Sequence, residues 1–271
     1  MPPTPHRWTA APPSDADWLA DLTGDDGLTG FLAPGRPDAA WVLNAMYEHE
    51  SGAGTVSHDA LHRARLARGE VAPLYVGGAN VEETPGMVTT GGDVGRAEHP
   101  GPGWRRLRWA ELARRHGDPV VPEGRLPCLH CLPSARMADG SWPAGIAVPT
   151  EGSLDRETWN RLTALLTAFA PEGPATPCRA YYNPLARFAA TGDATEYDTR
   201  CVRAGTLGGA RALYDAEETA FSPSNLWPED RTWVLCTDYD LWGTKVVGPK
   251  PLIERLLRDE DLEAVRLPWA P

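Results

Sequence analysis

Apolar positions along the chain change period several times, and each change predicts an element. Ser14-Asp15-Ala16-Asp17 before Trp18, Leu19 and Leu22 reads as a helix start with an acidic first turn. Residues 39–47 open with a near-continuous apolar run, the pattern of a central strand. Ser57 suits the N-cap of a helix running to Arg68, with Gly69 as its stop. Leu74-Tyr75-Val76 reads as a short strand, Gly86 to Gly95 as hairpin or loop, and Trp104 to His116 as an amphipathic helix ended by Gly117. Further on, Trp159, Leu162, Leu165, Leu166 and Phe169 share one helical face. Arg179 to Tyr182 reads as a strand, Ala204 to Tyr214 as a short helix and Pro223 to Pro228 as a turn. Thr232 to Tyr239 and Thr244 to Val247 read as strands, Pro251 to Arg258 as a helix and Leu262 to Leu267 as a final alternating strand.

Two of these stretches resemble each other. Trp41-Val42-Leu43 with Tyr47-Glu48 reads against Trp233-Val234-Leu235 with Tyr239-Asp240, and Gly54-Thr55 and Gly243-Thr244 follow in turn. The copies lie far beyond the about 20–50 residues of a solenoid repeat, so the pattern predicts one duplicated module. The expected fold is α+β, with two tandem, distantly related strand–strand–helix–strand units, each preceded by a helix. Their expected bounds are 14–118 and 150–271, after a frayed Pro-rich segment 1–13. Prolines at 119, 122, 127, 133, 143 and 149 mark 119–149 as a linker, although Trp142 and Ile146 within it require cover. Trp233, Leu235, Leu252 and Leu256 are expected in the core.

Composition narrows the function classes. The formal net charge is −11, which repels phosphate backbones and anionic lipid, so neither nucleic acid nor membrane is an expected partner. No apolar core of signal-peptide length opens the chain, and no later stretch nears the about 18 apolar residues of a membrane span, so a cytoplasmic protein is expected. Five scattered cysteines argue against a disulfide framework. No GxSxG, P-loop or dinucleotide fingerprint is present, and no cofactor is expected.

Three motifs carry candidate chemistry. His58 and His62 stand at i and i+4 on a helix, so both imidazoles reach toward one point where a metal ion would sit. Asp59 stands where a zinc protease has Glu, and the repeat counterparts are Pro249 and Ile253, so no metal site is expected there. Cys128-Leu129-His130-Cys131 invites a zinc or redox reading, but Pro127 and Pro133 frame it and no second ligand pair follows; the expectation is a loop with two incidental thiols. Asp238-Tyr239-Asp240 places two carboxylates on one strand face, with Trp242 close by.

The segment Trp227-Pro228-Glu229-Asp230-Arg231-Thr232-Trp233, with Asp238-Tyr239-Asp240-Leu241-Trp242-Gly243-Thr244 and Leu252-Ile253, resembles uncharacterised actinobacterial proteins similar to immunity-type proteins of polymorphic toxin systems. The Arg-rich composition, with Lys245 and Lys250 the only lysines, is of the GC-rich kind. The resemblance implies a non-enzymatic binding module that neutralises a basic, toxin-like protein. Its expected surface comprises Asp238, Tyr239, Asp240 and Trp242, with Tyr47, Glu48 and Glu50 from the other copy. The competing expectations are a metal-dependent hydrolase using His58 and His62, and an accessory protein of a biosynthetic cluster.

Overall fold

A computed structural model describes residues 8–35, 37–73, 75–76, 79–80, 99–191, 200–216 and 221–266. The fold is mixed α and β with antiparallel sheets. Its strands are β1 (Thr9–Ala11), β2 (Asp38–Leu43), β3 (Met46–His49), β4 (Tyr75–Val76), β5 (Ala79–Asn80), β6 (Trp104–Leu107), β7 (Ile146–Ala147), β8 (Pro177–Tyr182), β9 (Cys201–Thr206), β10 (Asn225–Pro228), β11 (Val234–Thr237), β12 (Gly243–Gly248) and β13 (Ala264–Val265). The helices are α1 (Asp17–Thr23), α2 (His58–Ala67), α3 (Trp109–His116), α4 (Arg156–Phe169), α5 (Pro184–Thr191) and α6 (Lys250–Leu257).

Among the described residues, eight strands form the main sheet in the order β1-β9-β8-β10-β11-β12-β2-β13. Both its faces are covered, which is why β2 and β11 read as near-continuous apolar runs rather than alternating ones, and why β12 is buried along its whole length although it carries Thr244 and Lys245. Alternate side chains of each strand point to opposite faces. On one face Ala40, Val42, Ala180, Leu226, Leu235 and Val246 meet Trp159 and Leu162 of α4 and Leu252, Ile253 and Leu256 of α6. On the other, Tyr181, Trp227, Val234 and Cys236 pack against Leu19 of α1 and Phe31 of the segment after it. A third cluster joins Trp41 and Leu43 of β2 to Trp109 and Leu112 of α3, Trp142, Ile146 and Trp242. Segment 119–149 therefore packs against the sheet at Trp142 and Ile146, in keeping with their need for cover.

Trp233, Leu235, Leu252 and Leu256 are buried as expected. Several element expectations are corrected. The strand expected over 39–47 divides at Asn44, where the buried amide donates to the Thr150 and Ser153 carbonyls at 2.8 and 2.9 Å and turns the chain out of the main sheet. β3 then joins a separate three-stranded sheet in the order β6-β3-β7. Residues 104–107 are strand β6 rather than the first turn of a helix, because Trp104 to Leu107 pair with His49 to Met46. α3 starts afterwards, with the buried Glu263 carboxylate accepting the Trp109 and Ala110 N–H groups at 2.8 Å each. Residues 204–206 belong to β9, and the helix that follows is a 3-10 turn over Leu207–Asp215. Within the expected turn 223–228, residues 225–228 form the buried strand β10. In the expected frayed segment, Thr9–Ala11 pair with β9 as an edge strand anchored by buried Trp8. Residues 1–7, Leu74 and the loop expected from Gly86 to Gly95 lie outside the described residues.

The tandem duplication is not shown. Trp41 sits inside β2 while Trp233 precedes β11, and their side chains join different core clusters. Leu61 is 45% exposed where its counterpart Leu252 is fully buried. The main sheet also takes β1 from the expected frayed segment, β2 from the expected first unit and its remaining strands from the second.

Leu256 is fully buried between α6 and the sheet, so Leu256→Ala should cost about 2–5 kcal/mol through lost transfer energy and the cavity left behind. Denaturant unfolding of the variant should show a lower midpoint with an unchanged slope.

Candidate functional site

The site is assembled where a strap of residues 24–35 crosses one end of the main sheet. The strap is not paired as a strand, so buried side chains satisfy its backbone groups instead. Asn225 accepts from the Phe31 N–H at 3.1 Å and donates to the Phe31 carbonyl at 2.8 Å. The Tyr181 hydroxyl donates to the Gly27 carbonyl at 2.9 Å, and the Lys245 ammonium donates to the Ala33 carbonyl at 2.6 Å. Gly30 lies at φ 110°, and a Cβ there would fall 2.4 Å from the Thr237 carbonyl oxygen, so only glycine fits this crossing.

The strap brings acids together. Asp25 and Asp26 are exposed and close turns onto the Gly27 and Leu28 N–H groups, both at 2.9 Å. Beside them is the loop joining β11 to β12. Asp238 is not on a strand face as expected, because β11 ends at Thr237. Its carboxylate accepts from the Thr29 hydroxyl at 2.7 Å and the Asp240 N–H at 3.0 Å, while the Tyr239 N–H donates to the Thr29 carbonyl at 2.7 Å. Burial pushes the Asp238 carboxyl above its ordinary range, and repulsion from Asp240 and Asp25 adds to the shift, against the hydrogen bond from Thr29. Glu151 adjoins the same loop. Burial raises its carboxyl to about 7, and the charges of Asp240 and Cys128 push in the same direction, with Trp242 opposing.

A thiol pair abuts this acidic loop. The Trp242 N–H donates to the Pro127 carbonyl at 2.9 Å, which fixes the next residue, Cys128, beside the loop. The Cys131 N–H donates to the Cys128 carbonyl at 2.9 Å, closing a tight turn over Cys128-Leu129-His130-Cys131. Cys128 is half-buried, Cys131 is buried and His130 is exposed. The Cys131 thiol lowers the Cys128 thiol to about 6, helped by the His130 N–H and the charges of His130 and Arg136, and opposed by burial. Cys131 is correspondingly held far above the ordinary thiol range by its partner and by burial. Leu132 follows at φ 52°, a left-handed conformation unusual for leucine. A cavity of about 280 Å³ opens here, lined by Pro122, Arg125, Cys128, His130 and Cys131.

The remaining expected site residues are placed elsewhere. Tyr47, Glu48 and Trp242 are buried, so they do not present the surface anchors expected of them. Trp242 fills the third core cluster, with its ring edge-on to Trp109 at 5.9 Å. The Glu48 carboxylate is held by Arg115 at 2.7 Å and also bonds Arg105, because a buried charge needs compensation. Burial, then the Asp155 charge, raises the Tyr47 phenol to about 12. Glu50 is exposed beyond β3, and Tyr239 and Asp238 are half-buried. His58 uses Nε2 to donate to the Ile146 carbonyl at 2.7 Å, and His62 is half-buried on α2. Among the described residues no group of three or more His, Cys, Asp and Glu is placed to hold a metal ion.

No protein-family model matches the chain, and no curated protein or solved structure matches it.

Glu151 yields a signed pH prediction. Its folded pKa of about 7 stands above the unfolded value, so between about 4.3 and 7 the folded chain holds a proton that the unfolded chain has lost. Stability from this group is fully present below that window and is lost as pH rises through it. Denaturant unfolding across the window should show the wild type losing stability relative to Glu151→Gln, with the difference constant above about pH 8.

Proposed function

We propose that this chain is a binding protein of the immunity type that takes a basic protein partner on the acidic face of the strap and the β11–β12 loop. The observation that carries the reading is the meeting of Asp25, Asp238, Asp240 and Glu151, with Asp26 next to Asp25: beside burial, the charges of Asp240 and Asp25 raise Asp238, and that of Asp240 raises Glu151. A cluster of like charges opposes its own folding, and a cationic partner relieves that repulsion on binding. The net charge of −11 adds long-range steering of the same sign. Leu28 is 41% exposed between these acids and offers an apolar contact within the charged rim. This surface replaces the wider one expected from Tyr47, Glu48 and Trp242, whose side chains are committed to the core.

Two measurements with an arginine-rich peptide probe test the reading. Asp25→Asn, Asp26→Asn and Asp240→Asn combined should slow association by about tenfold or more at low salt. A control with the same charge change at exposed Glu123, Glu157 and Glu172 should slow it far less. Affinity should also rise as pH increases from 6 to 8, because a bound cation favours the ionised form of Glu151, and Glu151→Gln should flatten that rise. Equal losses in the two triple variants would show that net charge alone attracts the probe.

A further inference from the structure

We propose that Cys128 and Cys131 form a working dithiol that reduces a bound disulfide by exchange, with Cys128 attacking and Cys131 resolving. The two thiols have divided positions. Both line a cavity of about 280 Å³, but Cys128 is half-buried there whereas Cys131 is buried. The 2.9 Å bond between their backbones closes a turn of the size that a disulfide bridges. Arg136 donates to the Leu129 carbonyl inside the turn, and the Cys131 thiol points at the Leu126 carbonyl at 3.5 Å, so the turn is held from both sides. Leu132 follows in a left-handed conformation and leads into a 3-10 turn over Pro133–Ala135. His130 and Arg136 place positive charge by Cys128, which favours the thiolate needed for attack, while burial and the ionised Glu151 carboxylate of the neighbouring loop oppose it. The other buried thiols, Cys178 and Cys236, have no such setting; burial raises both.

The exchange balances without a further reagent. The Cys128 thiolate attacks one sulfur of the ligand, the ligand S–S bond breaks, and one thiolate leaves and takes up a proton. Cys131 loses its proton, attacks the Cys128 sulfur and expels the second ligand thiolate, which is protonated in turn. Two electrons and two thiol hydrogens pass from the chain to the ligand, leaving two free thiols and a Cys128–Cys131 disulfide. Excess low-molecular-weight thiol runs the same steps backwards. The ligand is a disulfide, carried either by a small molecule that enters the cavity or by an extended protein segment lying across it.

The test uses the full chain in a Cys201→Ser background, which leaves Cys128 as the only cysteine that is not buried. The aromatic disulfide dithionitrobenzoate is the first probe. The expected result is a fast phase with a pH midpoint near 6, against about 8.5 for an ordinary thiol. At about pH 5.5 that phase should run about tenfold faster than an ordinary thiol, after allowing for the lower nucleophilicity of a more acidic thiolate. Two aryl thiols should leave per chain, and the chain should lose two hydrogens by mass. Cys131→Ser, with Cys131→Ala as a second variant and circular dichroism to confirm folding, should release one aryl thiol and trap the mixed disulfide. Cys128→Ser should lack the fast phase. Oxidised glutathione and insulin then separate the two sources: reduction of the first assigns a small-molecule disulfide, and of the second a protein disulfide. An ordinary midpoint, a stable mixed disulfide on the unsubstituted pair, failure to reduce either natural disulfide, or zinc released in equal amount as the thiols react would each overturn the proposal.

Discussion

The strap of residues 24–35 depends on a physical constraint: buried backbone N–H and C=O groups must be paired, and this segment has no neighbouring strand to pair them. Asn225 stands in for that strand. Its single amide matches one donor and one acceptor of Phe31 and also reaches the Leu235 carbonyl at 3.0 Å, so one side chain ties the strap to β10 and β11 together. Tyr181, Asn183 and Lys245 repeat the arrangement along the strap, with Asn183 donating to the Thr29 carbonyl at 3.2 Å. Lys245 does so at a cost, since burial disfavours its charged form and lowers its pKa. What these bonds secure is position. They bring Asp25, Asp26 and Thr29 against the β11–β12 loop, and without them the acidic face would be two unrelated turns.

Trp242 couples this face to the rest of the molecule. Its backbone N–H holds the Cys128 turn, its carbonyl accepts the Asn44 N–H at 2.9 Å, and its indole packs among Trp109 and Trp142. Asn44 is the point at which the chain leaves the main sheet for the second one. The loop, the thiol turn and the junction between sheets thus share one buried residue. Packing at that density transmits displacement, because interiors have few voids to absorb it. A ligand that moved the acidic loop would therefore disturb the cysteines, and a bond formed between the cysteines would pull on the loop.

Local periodicity made much of this fold legible. The apolar runs opening 39–47 and within 232–239 and the helical face from Trp159 to Phe169 are short-range patterns; the helix forms where expected, and the two strands form within the expected ranges but end earlier, at Leu43 and Thr237. Long-range pairing was not legible. Trp104 to Leu107 has helical spacing, yet pairing with β3 decides its conformation. The edge strand β1 hides behind prolines, and its anchor depends on Gly205, nearly two hundred residues away, where any Cβ would lie 2.6 Å from the Trp8 ring. The repeat of Trp, Val and Leu was a similarity of strand composition, since both runs must be apolar to lie inside one sheet. For the site, the acids at 238 and 240 were visible but Asp25, Asp26 and Glu151 were not, because only the strap's route brings them close. The Cys128 pair is visible in the sequence, where its flanking prolines and the lack of a second ligand pair read as a loop with incidental thiols. In the structure Pro127 supplies the carbonyl that anchors the turn to Trp242.

Lysine placement has a practical consequence. Of the two lysines, Lys245 is buried with its ammonium engaged at Ala33, while Lys250 is exposed at the start of α6. β12 separates Lys250 from the Asp238–Trp242 loop, and its six residues span about 20 Å at the usual strand rise. Amine-directed coupling through side chains therefore has a single accessible address, at the opposite end of a strand from the acidic rim. A chain immobilised through that residue would face solution with its acids and its cysteine turn outward, in one orientation.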